Sequence, residues 1–155
     1  MTDFNPGDPA PDFTLPASGG QTVSLGDFAG KQVVLYFYPR DDTPGCTKEA
    51  IGFTEHLDAF TAENTVILGL SRDTPAKHNK FIAKHDLKIA LLSDEDASVI
   101  GAYGSWVEKN MYGKKSMGIE RSTFLIGPDG RLKRIWRKVK VPRHVEEVLE
   151  AVRNA

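Results

Sequence analysis

The chain is poor in cysteine: its 155 residues contain one, Cys46. An intramolecular disulfide is therefore impossible, and the common structural zinc sites, which need at least two cysteines, are excluded as well. Long apolar runs are also missing, and none approaches the roughly 18 residues of a membrane-crossing helix. The N-terminus, MTDFNPGDPAPDF, has no charged segment followed by an apolar one, so no secretory signal is read there. Net charge is nearly absent, at −1 from 20 Lys and Arg against 21 Asp and Glu. General nucleic-acid binders carry a basic excess, so neither nucleic acid nor membrane is expected as a partner. Repeats, low-complexity tracts and linker composition are lacking too, which leaves one domain over residues 1–155. An unpaired thiol fits a reducing compartment, and a cytoplasmic location is expected.

What is present is the mix of a compact globule, with 40% hydrophobic, 26% charged and 9% aromatic residues. A chain of this length buries roughly two-thirds of its unfolded surface without staples. The charge is uneven, however. Residues 1–100 hold 8 basic and 15 acidic side chains, and residues 101–155 hold 12 and 6. The C-terminal third therefore carries a positive field suited to an anion, although basic residues on one amphipathic strand would give the same count.

Lys31–Tyr38 reads KQVVLYFY, a continuous β-branched and aromatic run that predicts a strand buried on both faces. Gln21–Leu25, Val66–Leu70, Ile89–Leu92 and Ser122–Ile126 are shorter strand candidates. Gly127-Pro128-Asp129-Gly130 is a turn signal, with Arg131–Val141 as the hairpin partner of Ser122–Ile126. Ala50, Phe53, Leu57 and Phe60 lie on one face of a helix predicted from about Thr47 to Ala62. Thr74-Pro75 opens a helix running to about His85, and Glu95–Tyr103 and Arg143–Arg153 are further helix candidates. The first dozen residues read as an extended arm, and Gly104–Gly118 reads as an amphipathic loop that lines a site, docks a partner or packs on the domain. Strands alternating with helices, closed by a hairpin and a helix, predict a mixed α/β sheet covered by helices on both faces.

Cys46 falls where the buried strand has ended and the amphipathic helix begins, in Tyr38-Pro39-Arg40-Asp41-Asp42-Thr43-Pro44-Gly45-Cys46-Thr47. A thiol in the first helical turn meets unsatisfied backbone N–H groups and the positive end of the helix dipole. That setting favours the thiolate, the form that attacks electrophiles. Most lone cysteines are simply small buried residues, but the Pro, Gly and Thr around this one favour the reactive reading.

The spacing Pro39-x-x-x-Thr43-x-x-Cys46 resembles the active-site signature of peroxiredoxins, thiol peroxidases built on a thioredoxin fold. The run YFYPRDDTPGCTKEA resembles the bacterioferritin comigratory protein, or peroxiredoxin Q, branch. The likeness continues through LLSDED and YGKKSMGIERSTFLIGPDG and so covers nearly the whole chain in order. The resemblance implies a thioredoxin-like fold and a peroxidatic role for Cys46. It also implies substrate-binding roles for Thr43, Pro39 and Gly45, and an active-site arginine at Arg121. Arg121 would stabilise the thiolate and hold a peroxide oxygen, Thr43 would exchange a hydrogen bond with the peroxide, and N–H groups around Gly45 and Cys46 would polarise it. Pro39 would shield the oxidised sulfur. The implied substrates are hydrogen peroxide and organic hydroperoxides, with no metal, flavin or haem cofactor and a monomeric enzyme.

The sequence departs from this branch at one position. Many members carry a resolving cysteine five residues after the first, where this chain has Ile51. The sulfenic acid is then reduced from outside, by thioredoxin, by glutathione with glutaredoxin or by another small thiol, or through an intermolecular Cys46–Cys46 disulfide that would need both sites to open, and overoxidation becomes a hazard. The competing class is a peroxide-sensing redox module; the missing CxxC pair argues strongly against a disulfide oxidoreductase.

Other signals carry less. Gly26–Lys31 is one residue short of a phosphate loop and precedes a strand. His56, His78, His85 and His144 lack metal-ligand spacing and read as ordinary polar helix residues. Glu49 is placed either to orient Arg121 or merely to complement the helix dipole. The seven basic residues of Arg131–Arg143 read as a solvated hairpin edge.

Overall fold

The computed structural model describes residues 5–155, so part of the expected N-terminal arm, residues 1–4, lies outside it. In chain order the strands and helices are β1 (Thr14–Pro16), β2 (Thr22–Ser24), β3 (Gln32–Phe37), α1 (Pro44–Glu55), α2 (Leu57–Ala62), β4 (Thr65–Ser71) and α3 (Pro75–His85). They continue with β5 (Ala90–Ser93), α4 (Ser98–Ala102), β6 (Trp106–Met111), β7 (Lys114–Ile119), β8 (Ser122–Ile126), β9 (Leu132–Trp136) and α5 (His144–Arg153).

The main sheet has the order β5-β4-β3-β8-β9. β3 pairs parallel with β4 and antiparallel with β8, which makes it the central strand and explains its unbroken apolar sequence. β5 adds parallel to β4, and β9 adds antiparallel to β8 through the Gly127–Gly130 turn. Successive side chains of β3 go to opposite faces. Val34 and Tyr36 bury with Ala50 and Phe53 of α1, Phe60 of α2, Phe81 of α3 and Val148 of α5. Val33, Leu35 and Phe37 bury on the other face with Ile100 of α4 and with β1 and β2. This is the expected mixed sheet flanked by helices, although one face is covered by a single short helix and a small hairpin.

Two predicted elements differ from the structure. The single helix expected from Thr47 to Ala62 starts earlier, at Pro44, and breaks at His56, where ψ is 7°. Phe53 and Phe60 nonetheless pack with their rings tilted 5.9 Å apart in one cluster. The apolar stripe runs straight through the kink, so periodicity could not reveal it. The segment read as a loop at Gly104–Gly118 is instead the β6–β7 hairpin, paired from Trp106↔Ile119 to Met111↔Lys114. Its turn, Tyr112-Gly113, has φ of 54° and 79°, the positive angles of a two-residue hairpin turn. Beyond its base, where Trp106 and Ile119 pack on the core, the hairpin is mostly exposed and lacks apolar alternation, leaving no period-2 signal to read. No helix among the described residues is long and apolar enough to cross a membrane.

Candidate active site

Pro44 occupies the first position of α1, where its fixed φ suits a helix and its missing N–H costs nothing. Cys46 follows as the third helical residue and is 1% exposed. Gly45 and Cys46 thus supply first-turn N–H groups that have no intrahelical acceptor. Thr43 is the N-cap, but its hydroxyl makes no cap bond; it donates instead to the Arg40 carbonyl at 2.9 Å. Its oxygen therefore keeps lone pairs with which to accept.

The guanidinium of Arg121 completes the site. Ser122 pairs with Phe37, so the residue just before β8 emerges beside the end of β3 and the loop that follows. Arg121 Nη2 donates to Cys46 Sγ at 3.3 Å, and Nη1 donates to Glu49 Oε1 at 2.6 Å. A guanidinium carries five N–H groups, so other donors remain for an incoming oxygen; the side chain is 16% exposed. A Cβ on Gly45 would lie 3.3 Å from Arg121 Nη2, so the missing side chain lets the guanidinium lie against this turn. The main chain of Arg121 is held as well, its carbonyl accepting from Val139 N–H at 2.9 Å.

Glu49 sits one turn beyond Cys46 on α1 and is fully buried. Burial pushes its carboxyl up to about 7, against the charge and hydrogen bond of Arg121, which pull it down. Its second oxygen, Oε2, has no protein partner. Burial works against the charge on Arg121 too, but Glu49 and Cys46 outweigh it and hold the guanidinium above its ordinary value. His144, first residue of α5, lies against the Trp136 ring and 2.8 Å from the Thr123 hydroxyl. Burial, followed by the Arg121 charge, pushes its imidazole down to about 4.

A second buried cluster fixes the loop from the other side. Asp41 accepts from the Tyr38 hydroxyl at 2.5 Å and lies 2.6 Å from His78 Nδ1, while its N–H donates to Asp73 Oδ2 at 2.8 Å. The Ser71 hydroxyl donates to the same Asp73 oxygen, and His78 Nε2 donates to the Leu92 carbonyl. Asp41, Asp73 and His78 bring three ligand-type atoms within 4.8 Å of one another. Each of those atoms is already engaged by a hydrogen bond, so the cluster reads as a clamp on the loop rather than a metal centre.

The structure thus brings Cys46, Gly45 and Arg121 together, with Thr43 at the cap of the same helix. Pro39 lies on an exposed bend just beyond β3. Of the two readings of Glu49, the pairing with Arg121 is the one the geometry shows. Two histidines read as ordinary polar helix residues, His78 and His144, are instead buried at 0% and 3% exposure. His78 could have been singled out, because it stands three residues before Phe81 on the apolar face of α3.

Comparison with known proteins agrees with this geometry. Residues 6–135 match the AhpC/TSA family. A putative peroxiredoxin Bcp from Coxiella burnetii is 50% identical over 143 residues, covering 92% of this chain and 95% of that protein. The PrxQ of Xylella fastidiosa superposes with a TM-score of 0.94 at 41% identity, covering 99% of this chain and 98% of the other. The Xanthomonas campestris bacterioferritin comigratory protein, described for its alkyl peroxide reduction, has a TM-score of 0.88 at 44% identity, covering 92% and 90%. With its thioredoxin-like fold and single cysteine, the chain belongs to the AhpC/TSA family of peroxiredoxins, in the Bcp and peroxiredoxin Q branch.

Proposed function

We propose that this chain is a thiol-dependent peroxidase with Cys46 as the peroxidatic residue. The observation that carries the reading is a cationic donor 3.3 Å from a sulfur set in the first turn of a helix. A guanidinium remains charged at any physiological pH, so a positive charge stands beside the sulfur throughout the reaction. The thiolate attacks the terminal hydroxyl oxygen of a hydroperoxide. The S–O bond forms as the O–O bond breaks, and the departing alkoxide or hydroxide takes a proton to leave as alcohol or water. Cys46 becomes the sulfenic acid.

The surrounding residues serve the stretching O–O bond. Arg121 and the N–H groups of Gly45 and Cys46 donate to the oxygens as negative charge shifts onto the leaving one. The Thr43 hydrogen is committed to the Arg40 carbonyl. Thr43 therefore acts as an acceptor, taking the peroxide O–H and aligning the attacked oxygen. Pro39 stiffens the exposed edge of the loop and shields the oxidised sulfur.

No second cysteine exists to resolve the sulfenic acid, and Ile51 stands where many relatives have one. An outside thiol condenses with Cys46-SOH to give a mixed disulfide and water, and a second thiol then releases the Cys46 thiolate. Thioredoxin, or glutathione with glutaredoxin, supplies that thiol. The enzyme acts as a monomer in the cytoplasm, where such reductants keep thiols reduced.

The test is single-turnover oxidation by hydrogen peroxide in a stopped-flow instrument, read by Trp106 and Trp136 fluorescence. Dimedone trapping and intact mass count the sulfenic acids. A rate orders of magnitude above that of free cysteine thiolate, with one sulfenate per chain, is the expected result. A rate no faster than free cysteine would overturn the peroxidase reading and leave a binding module.

A further inference from the structure

A groove of about 520 Å³ runs along α1 beside the site, within the range of small-molecule pockets. Two glycines of α1, Gly45 and Gly52, open it on one side, and Val141, Arg143 and Val145 close it on the other. A Cβ on Gly52 would come within 3.0 Å of Val145, so α1 and the start of α5 already touch at that end. At the other end Gly45 has no side chain and backs directly onto the Arg121 guanidinium that holds the sulfur.

The rim is charged. Lys48, one turn beyond Pro44, and Arg143, at the left-handed residue that opens α5, face the groove. Neither has an ion-pair partner among the described residues. The one acid on the rim, Glu146, lies 3.9 Å from His56. Lys138 and Lys140, also exposed, flank Val139, whose N–H bonds the Arg121 carbonyl. Arg143 of the basic C-terminal third thus joins Lys48 of α1 on the groove.

We infer that this groove is the docking site of the reducing thiol, and that its occupant is a small anionic thiol whose carboxylates pair with Lys48 and Arg143. The inference rests on the peroxidase reading above. The buried sulfur and the absent second cysteine require a thiol slender enough to reach Cys46 along the helix. Two unpaired cations select one that carries carboxylates. The sulfur of the docked thiol attacks Cys46-SOH, a mixed disulfide forms, and the hydroxyl leaves as water with the thiol proton. A second molecule of the thiol then attacks the outer sulfur of that disulfide, releasing the Cys46 thiolate and the small thiol as its own disulfide.

The experiment oxidises the full chain with one equivalent of peroxide and confirms the sulfenate by intact mass. The protein is then mixed with glutathione, with glutathione diethyl ester, whose carboxylates are masked, or with uncharged dithiothreitol. At low salt, glutathione should reduce the wild type at least tenfold faster than its diester, and 0.5 M salt should narrow the gap. The double variant Lys48→Gln/Arg143→Gln should lose the preference while oxidising with peroxide at the wild-type rate and reacting normally with dithiothreitol. Equal rates for glutathione and diester in the wild type, or an undiminished preference in the double variant, would overturn the inference while leaving the peroxidase intact. Failure of Cys46 to form a sulfenate is read before any thiol is added, and it would bring down the peroxidase reading and this inference together.

Discussion

Two buried polar clusters grip the loop between β3 and α1, and they are built differently. On one side Tyr38, Asp41, His78, Asp73 and Ser71 satisfy one another, and none of their buried side-chain atoms lacks a partner. On the other side the Cys46–Arg121–Glu49 cluster is left incomplete. Glu49 Oε2 has no protein partner, and the guanidinium still has donors to offer. A fully satisfied buried network rigidifies, while an unpaired buried polar group carries a cost. The first cluster sets the position of the loop, and the second is the one to which the proposed chemistry is assigned.

Three substitutions break that division, in descending order of effect. Cys46→Ser should abolish peroxide consumption altogether, as followed by loss of peroxide in steady state; surviving turnover would move the chemistry to another residue. Arg121→Ala should slow single-turnover oxidation by at least tenfold, about 1.4 kcal/mol of transition-state stabilisation. An unchanged rate would remove Arg121 from the reaction despite its contact with sulfur. His78→Leu leaves the buried Asp41 carboxyl without one of its partners and should cost about 3 kcal/mol of stability, read as a shifted urea midpoint. In the folded fraction it should slow oxidation less than Arg121→Ala does. The opposite ranking would mean that the satisfied cluster also takes part in the chemistry.

The reactive side was far more legible in the sequence than the rigid side. Cys46 announces itself through local features: a buried strand, a loop of Pro, Gly and Thr, and an amphipathic helix. Arg121 is 75 residues away and bonds the sulfur only because β8 pairs beside β3. Family resemblance located it; spacing alone could not. The clamp has no local signature at all. Asp41 and His78 are 37 residues apart, on a loop and a helix that meet only in the fold. In the same way the groove needs α1 and the start of α5 side by side, although one of its cations, Arg143, belongs to the basic C-terminal third. Elements with strong periodicity or caps, such as β3 and the helix opened by Thr74-Pro75, lie where the pattern puts them. The β6–β7 hairpin does not, because its exposed faces leave nothing for a pattern to record.

Glu49 offers the finest test of the contrast, because its incompleteness has a pH signature. Its folded carboxyl holds its proton up to about 7, whereas an exposed one releases it near 4.5. Between those values the unfolded chain binds fewer protons, so this group makes stability fall as pH rises. His144 acts in the opposite direction. Its folded imidazole gives up its proton near 4 and its unfolded one near 6.5, so stability rises with pH across that window. From pH 4.5 to 6.5 the two slopes cancel, and wild-type stability from these groups should be nearly flat. Glu49→Gln keeps an acceptor for Arg121 Nη1 but removes the titration. Urea unfolding of that variant should then show the uncovered His144 slope, a stability that rises with pH over the same window. The same rising profile in the wild type and in Glu49→Gln would mean that Glu49 is ionised well below neutrality in the fold. The active-site cluster would then be a conventional ion pair, as complete as the clamp on the other side of the loop.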